Sequence, residues 1–128
     1  MSSFVYLASP YTHPDPAIRE RRFVEVCRVA SDLMAAGSAV FCPIAHSHPI
    51  DTIAPLPQTT AFWMAQDLPI LRCASRVVVL MLDGWRQSKG IAAEIAAAEA
   101  VGIPVEYMAH DGEVVKVRPA LEEIHDDE

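Results

Sequence analysis

Residues 76–82 read Arg-Val-Val-Val-Leu-Met-Leu, an apolar run closed by Asp83-Gly84. A strand with one wet face alternates apolar and polar side chains, whereas this run offers the same apolar character to both faces. Such a strand needs cover on both sides, which a parallel sheet flanked by helices supplies. The run therefore confines the fold to a layered α/β arrangement.

The flanking segments fit that frame. Phe4-Val5-Tyr6-Leu7-Ala8 is a short apolar strand ended by Ser9-Pro10. From Ala17 the period becomes helical, with Phe23, Cys27, Ala30 and Met34 expected to face the core and Gly37 to stop the helix. Residues 39–42 form a second strand, and residues 44–58, with His46, His48 and three prolines, read as a long irregular loop. Thr59 or Thr60 caps a helix to about Asp67, with Pro69 kinking it or opening a second one. After residues 76–82 a helix runs from Lys89 or Gly90 to Val101 and stops at Gly102. Residues 105–107 give another strand, Asp111-Gly112 a hairpin turn to residues 114–117, and residues 119–128 an acidic tail.

This order predicts a Rossmann-like or flavodoxin-like doubly wound, mostly parallel sheet of about five strands with helices on both faces. Ligands of such sheets bind beyond the carboxyl ends of the strands. The rule selects residues 9–11, the loop after Cys42, residues 83–88 and the loop after Tyr107. With 128 residues the chain has the length of one domain, and 52% hydrophobic against 21% charged residues suits a buried core.

A net charge of -7 argues against a nucleic-acid polymer as partner, since affinity there rests on cations neutralising phosphates. A single nucleotide remains compatible, because backbone amides at a helix N-terminus can hold one phosphate. Three cysteines without C-x-x-C spacing suggest buried reduced thiols. With no leader-like or membrane-spanning segment, the expected location is the cytoplasm.

Glu94 lies in Gly-Ile-Ala-Ala-Glu-Ile-Ala-Ala-Ala, nearly devoid of polar residues. A glutamate in the early turns of a helix is favoured by the dipole, but small neighbours also let a ligand approach, and apolar surroundings raise a carboxyl pKa. Asp67 and Asp83 complete a set of three candidate carboxylates; Asp83 before Gly84 also suits an ordinary turn. Ser88-Lys89-Gly90 opens a helix and combines a cap with an anion-binding geometry. His46-Ser47-His48 lacks a third ligand at metal-site spacing, so no metal is expected; one of the pair, with His46 as candidate, lines the pocket or orients a substrate group. Tyr6, Tyr11, Trp63 and Trp85 suit base stacking or core packing, with Trp63 assigned to the core.

In order, residues 6–11 (Tyr-Leu-Ala-Ser-Pro-Tyr), Asp67-Leu68 with Ile70, and Asp83-Gly84 followed by Ser-Lys-Gly-Ile-Ala-Ala-Glu-Ile from Ser88 resemble the motifs of the nucleoside 2-deoxyribosyltransferase-like superfamily, which includes the deoxynucleoside 5'-monophosphate N-glycosidases. The resemblance implies a homo-oligomer, dimer or tetramer, that acts on a nucleoside or nucleotide without a cofactor. It places Glu94 as catalytic glutamate, Tyr6 as the tyrosine positioning it, Asp67 and Asp83 on the substrate side, and Ser88 on the 5'-phosphate. Ser9, Pro10, Tyr11, His46, Lys89 and Gly90 join the expected substrate-binding set. Lys89 departs from the usual small or neutral residue, and the Asn-containing C-terminal segment that the family's transferases lend a neighbouring subunit has no counterpart after Tyr107. The expected reaction is therefore N-glycosidic cleavage by water rather than base exchange. A non-catalytic nucleotide sensor and a hydrolase of another N-ribosyl compound are the alternatives.

Overall fold

The computed structural model describes residues 3–112 and 114–115. Five strands form one sheet in the order β2-β1-β3-β4-β5: β1 (Val5–Ala8), β2 (Val40–Phe41), β3 (Arg76–Met81), β4 (Val105–Ala109) and β5 (Val114–Val115). The first four are parallel and β5 is antiparallel to β4. Four helices join them, α1 (Pro16–Ala35), α2 (Pro43–Ile53), α3 (Thr60–Leu71) and α4 (Lys89–Ala100), with a 3-10 turn at Trp85–Gln87. This is the doubly wound α/β sheet that residues 76–82 demand.

The period of two in the strands divides the core. Val5, Leu7, Val78 and Leu80 meet Val26, Val29 and Ala30 of α1 and Ile44 of α2 on one face. Tyr6, Ala8, Val77 and Val79 meet Leu71 of α3 and Ile91, Ile95 and Ala98 of α4 on the other. Consecutive residues of β1 thus serve opposite layers, so Tyr6 necessarily points toward α4 and Leu7 toward α1. Because β1 and β3 are adjacent while their crossovers leave in opposite directions, the loops at their carboxyl ends part and open a crevice.

Helix starts follow local chemistry. Asp15, Thr59 and Ser88 each accept a hydrogen bond from a first-turn amide, and Pro16 and Pro43 occupy first-turn positions where a missing N–H costs nothing. Gly37 and Gly102 follow α1 and α4 with positive φ, as left-handed helix exits require.

Four expectations need correction. Most of the expected loop at residues 44–58 is α2: Pro43 opens the helix, and Pro49 is accommodated within it on the exposed side. Pro69 likewise lies inside a single α3. The buried stripe of α1 is Val26, Val29 and Ala30 rather than Cys27 and Met34, and Met34 is 53% exposed. Of the thiols only Cys42 is buried; Cys27 is partly covered and Cys73 exposed. The expected hairpin forms, with β4 running on to Ala109 and Gly112 at φ 89° in the turn; residues 116–117 and the acidic tail lie outside the described residues. Among the described residues no helix is long and apolar enough to cross a membrane.

Leu80 is fully buried in β3, one residue before its carboxyl end. Leu80→Ala is expected to lower stability by about 2–5 kcal/mol, the usual cost of a large-to-small change in a close-packed core. Urea unfolding followed by circular dichroism measures it; a loss under about 1 kcal/mol contradicts close packing there.

Candidate active site

A cavity of about 700 Å³ opens at the carboxyl ends of β1 and β3. Its walls come from the β1–α1 loop (Ser9, Tyr11, Thr12), the start of α2, the inner face of α3 (Trp63, Met64, Asp67), and Gly84 with the first turn of α4. Glu94 lies at the cavity surface, 4% exposed.

Glu94 is the sixth residue of α4 and shares the buried face with Ile91, Ile95 and Ala98. Tyr6, fully buried on β1, donates its hydroxyl to Glu94 Oε2 at 2.5 Å. Burial pushes the Glu94 carboxyl up and the nearby Asp67 charge adds to that, while the Tyr6 hydrogen bond pulls it down; burial prevails, leaving it at about 8. Asp67, itself buried on α3, is raised by burial to about 6. Tyr6 is pushed far above its ordinary value, by burial first and then by Glu94, so it remains a donor.

Two perturbed carboxyls therefore share one cavity and feel each other's charge. Between about pH 6 and pH 8 the pair holds close to one proton. Burial raises Glu94 further than Asp67, so protonated Glu94 beside ionised Asp67 is the favoured arrangement and ionised Glu94 beside protonated Asp67 the minor one. That minor arrangement provides both an anion and an acid, the combination needed to break a glycosidic bond.

At another wall Ser88 caps α4, accepting from the Ile91 N–H at 3.2 Å. Ser88, Lys89 and Gly90 all line the cavity, which thereby meets the positive end of the α4 dipole. Arg22 of α1 joins them: its Nη1 donates to the carbonyls of Tyr11 and Thr12 and its Nη2 to that of Asp83.

The structure brings Glu94, Asp67, Ser9, Tyr11, Ser88, Lys89 and Gly90 to the cavity, with Tyr6 directly behind Glu94. Pro10, His46 and Asp83 are not among its lining residues. Pro10 is buried, and Asp83 is exposed in the turn that leads into the left-handed Gly84, where its carbonyl accepts from Arg22 Nη2 and its carboxylate acts on the same guanidinium. His46 is exposed and tilted against Phe41, while His48 is buried and lines the cavity. In an extended loop the two histidines would share a face, but two residues apart on a helix they point about 200° away from each other. The i, i+4 pairing of Ile44 with His48 is the pattern that identifies the inward one. Trp63 is a cavity wall as well as a core residue, crossing Tyr11 edge-on at 6.2 Å. Trp85 packs against Tyr107 in the core, and among the described residues none after Tyr107 lines the cavity. No group of three His, Cys, Asp or Glu among the described residues is arranged to hold a metal ion.

Comparison with solved structures places this backbone beside a 2-deoxyribosyltransferase from the psychrotolerant bacterium Bacillus psychrosaccharolyticus, described as a biocatalyst for the industrial synthesis of antiviral and antitumoral nucleosides. The TM-score is 0.60 at 23% identity, over 89% of this chain and 77% of that one. No curated protein sequence matches the chain. A family model described as a domain of unknown function, DUF1937, matches residues 3–110, and the chain belongs to that family, with a backbone that shares the fold of that 2-deoxyribosyltransferase.

Proposed function

We infer that the protein hydrolyses the N-glycosidic bond of a nucleoside or nucleoside 5'-monophosphate. The observation carrying this reading is the buried Glu94, bonded to Tyr6 and electrostatically coupled to Asp67 at the surface of one cavity. As the C1'–N bond breaks, its electron pair leaves with the base and the sugar gains oxocarbenium character. Ionised Glu94 stabilises that charge or bonds to C1', and Asp67 gives its proton to the departing base. Water then adds to C1', giving one proton to the Asp67 carboxylate and its hydroxyl to the sugar, and where Glu94 has bonded to C1' that bond breaks in the same step with its electron pair returning to the Glu94 carboxylate. The first turn of α4, with Ser88 and Lys89, suits a 5'-phosphate. Trp63 and Tyr11 offer aromatic faces to a base. Homo-oligomerisation belongs to the same proposal, on the strength of the family resemblance.

Free base released from a panel of nucleosides and 5'-monophosphates, scored by chromatography with and without a second base as acceptor, tests the reaction. Release without an exchanged nucleoside is the expected result, and binding without any release favours a sensor.

The shared proton sets the pH profile. Below about pH 6 both carboxyls are protonated and above about pH 8 neither is, so kcat/KM is expected to be bell-shaped with limbs near those values. Tyr6→Phe removes the contact that lowers the Glu94 carboxyl, so the basic limb should move upward and the rate fall roughly tenfold to a hundredfold. An unmoved basic limb contradicts the assignment of that limb to Glu94.

Glu94→Gln separates catalysis from folding. Burial raises the Glu94 carboxyl from an ordinary 4.5 to about 8, so it carries no ionisation penalty on stability below pH 4.5, and that penalty builds as pH rises from 4.5 to about 8 and is constant above. The uncharged glutamine should raise Tm at pH 9 more than at pH 5, while abolishing base release. A stabilised variant that still turns over at the wild-type rate would falsify the catalytic role.

A further inference from the structure

A second hydrogen-bonded chain reaches the cavity from the α1 side. The Tyr11 hydroxyl lies 2.7 Å from His48 Nδ1, and His48 Nε2 lies 2.6 Å from Glu20 Oε2. His48 is 8% exposed, and Phe23 stacks on its ring at 4.3 Å between centroids and 27° between planes. Tyr11 crosses it edge-on at 80°. Aromatic packing thus fixes the ring plane, and the two hydrogen bonds fix what each nitrogen carries.

The order of donors follows from elimination. A carboxylate only accepts, so His48 Nε2 carries the proton given to Glu20. In a neutral imidazole Nδ1 then bears the lone pair, and the Tyr11 hydroxyl must donate to it. With its proton committed, the Tyr11 oxygen offers a ligand only lone pairs. Arg19 on α1 also donates toward this hydroxyl and Asp51 on α2 is a second acceptor beside it, but the 2.7 Å contact to Nδ1 is the one with hydrogen-bond geometry; burial and then Asp51 push the phenol up to about 12, so it keeps its proton. Reversing Tyr11 requires a proton on Nδ1 or loss of Glu20.

We propose that Tyr11 is a specificity-determining residue that accepts a hydrogen bond from a donor group on the bound ligand, and that His48 and Glu20 are positioning residues that hold it in the accepting sense. The proposal rests on the nucleoside reading of this cavity. Its ligand chemistry is a hydrogen-bond donor, which a nucleotide supplies from a sugar hydroxyl or from an exocyclic amino group of the base. Glu20, with a side chain 59% exposed, reaches Tyr11 through His48 among the described residues, so its influence on selectivity is a signature of the relay.

The test has a ligand-free arm and a binding arm. Nitrogen-15 NMR of the His48 ring in the free protein should show the Nε2–H tautomer in wild type and in Glu20→Gln, whose amide oxygen still accepts, and a tautomer mixture in Glu20→Ala. Calorimetry in the Glu94→Gln background, with common 2'-deoxynucleoside 5'-monophosphates, their 2',3'-dideoxy analogues and analogues lacking the base amino group, reads selectivity without turnover. Tyr11→Phe should weaken the intact ligand roughly tenfold and leave unchanged the one analogue that lacks the accepted donor, which identifies sugar or base as its source. Glu20→Ala should weaken binding in the Tyr11 protein and not in the Tyr11→Phe protein, with Glu20→Gln restoring affinity.

An Nδ1–H tautomer in wild type overturns the relay, and equal losses for every ligand, or a Glu20→Ala effect that persists without the Tyr11 hydroxyl, overturn the specificity role. Failure of all these nucleotides to bind overturns instead the nucleoside reading, and the His48 tautomer then still decides the relay.

Discussion

The hydrogen bond from Tyr6 to Glu94 joins an interior strand of the sheet to the helix that follows its central strand. Both partners occupy core positions: Tyr6 is fully buried on β1, and Glu94 lies on the face of α4 that packs against the sheet. An ionisable group in such a place costs stability unless a partner compensates. Here the compensation is partial, because the hydrogen bond favours the anion while burial and Asp67 oppose it. The glutamate is thereby left titrating near neutrality, where a carboxyl can change state within a catalytic cycle. Burial against the sheet and chemistry at the cavity are two consequences of the same position.

That position was readable from the sequence to an unequal degree. The apolar run of β3 implies cover on both faces, and Ser88 and Gly102 delimit α4, so Glu94 could be placed on a helix beyond a central strand without coordinates. Residues 43–53 were not legible in the same way. Prolines in a short polar stretch suggest a loop, yet Pro43 falls at a first-turn position, and the Pro49 ring projects on an exposed side. Tertiary packing of Ile44 and His48 outweighs the local preference. The same misreading exchanged His46 for His48, because the residue that faces inward depends on whether the period is two or 3.6. Asp83 lies outside the cavity lining for a different reason: a motif match gives order along the chain, whereas the direction of a carboxylate beside a left-handed glycine depends on the turn.

The acidic character of the chain contrasts with the composition of its cavity. Net charge is -7, yet Arg22 and Lys89 both line the cavity, and α4 directs its N-terminus there. Local fields, rather than net charge, govern a site of this size, since charges farther off are screened over about 10 Å at ordinary ionic strength. Two carboxyls with raised pKa values lessen the local negative charge further, because near pH 7 the pair carries about one unit rather than two. The suppressed ionisation that prepares the carboxyls for catalysis also makes the cavity less hostile to an anionic ligand.

The first turns of α1 link these features to the rim. Side chains of a helix lean toward its N-terminus, so Arg19, Glu20 and Arg22 reach back over the β1–α1 loop. Arg19 donates to the carbonyl of His13, Arg22 to those of Tyr11 and Thr12, and Glu20 reaches Tyr11 through His48. Arg22 also spans the crevice to the Asp83 carbonyl, and its Nη2 lies 2.6 Å from where a Cβ on Gly84 would be. With φ at +88°, Gly84 is required both by the backbone and by the passage of that guanidinium. The loops leaving β1 and β3 are therefore tied together across the switch point by one side chain. A crevice that topology alone would leave open-ended acquires a defined width, set by Arg22 and the glycine that makes room for it.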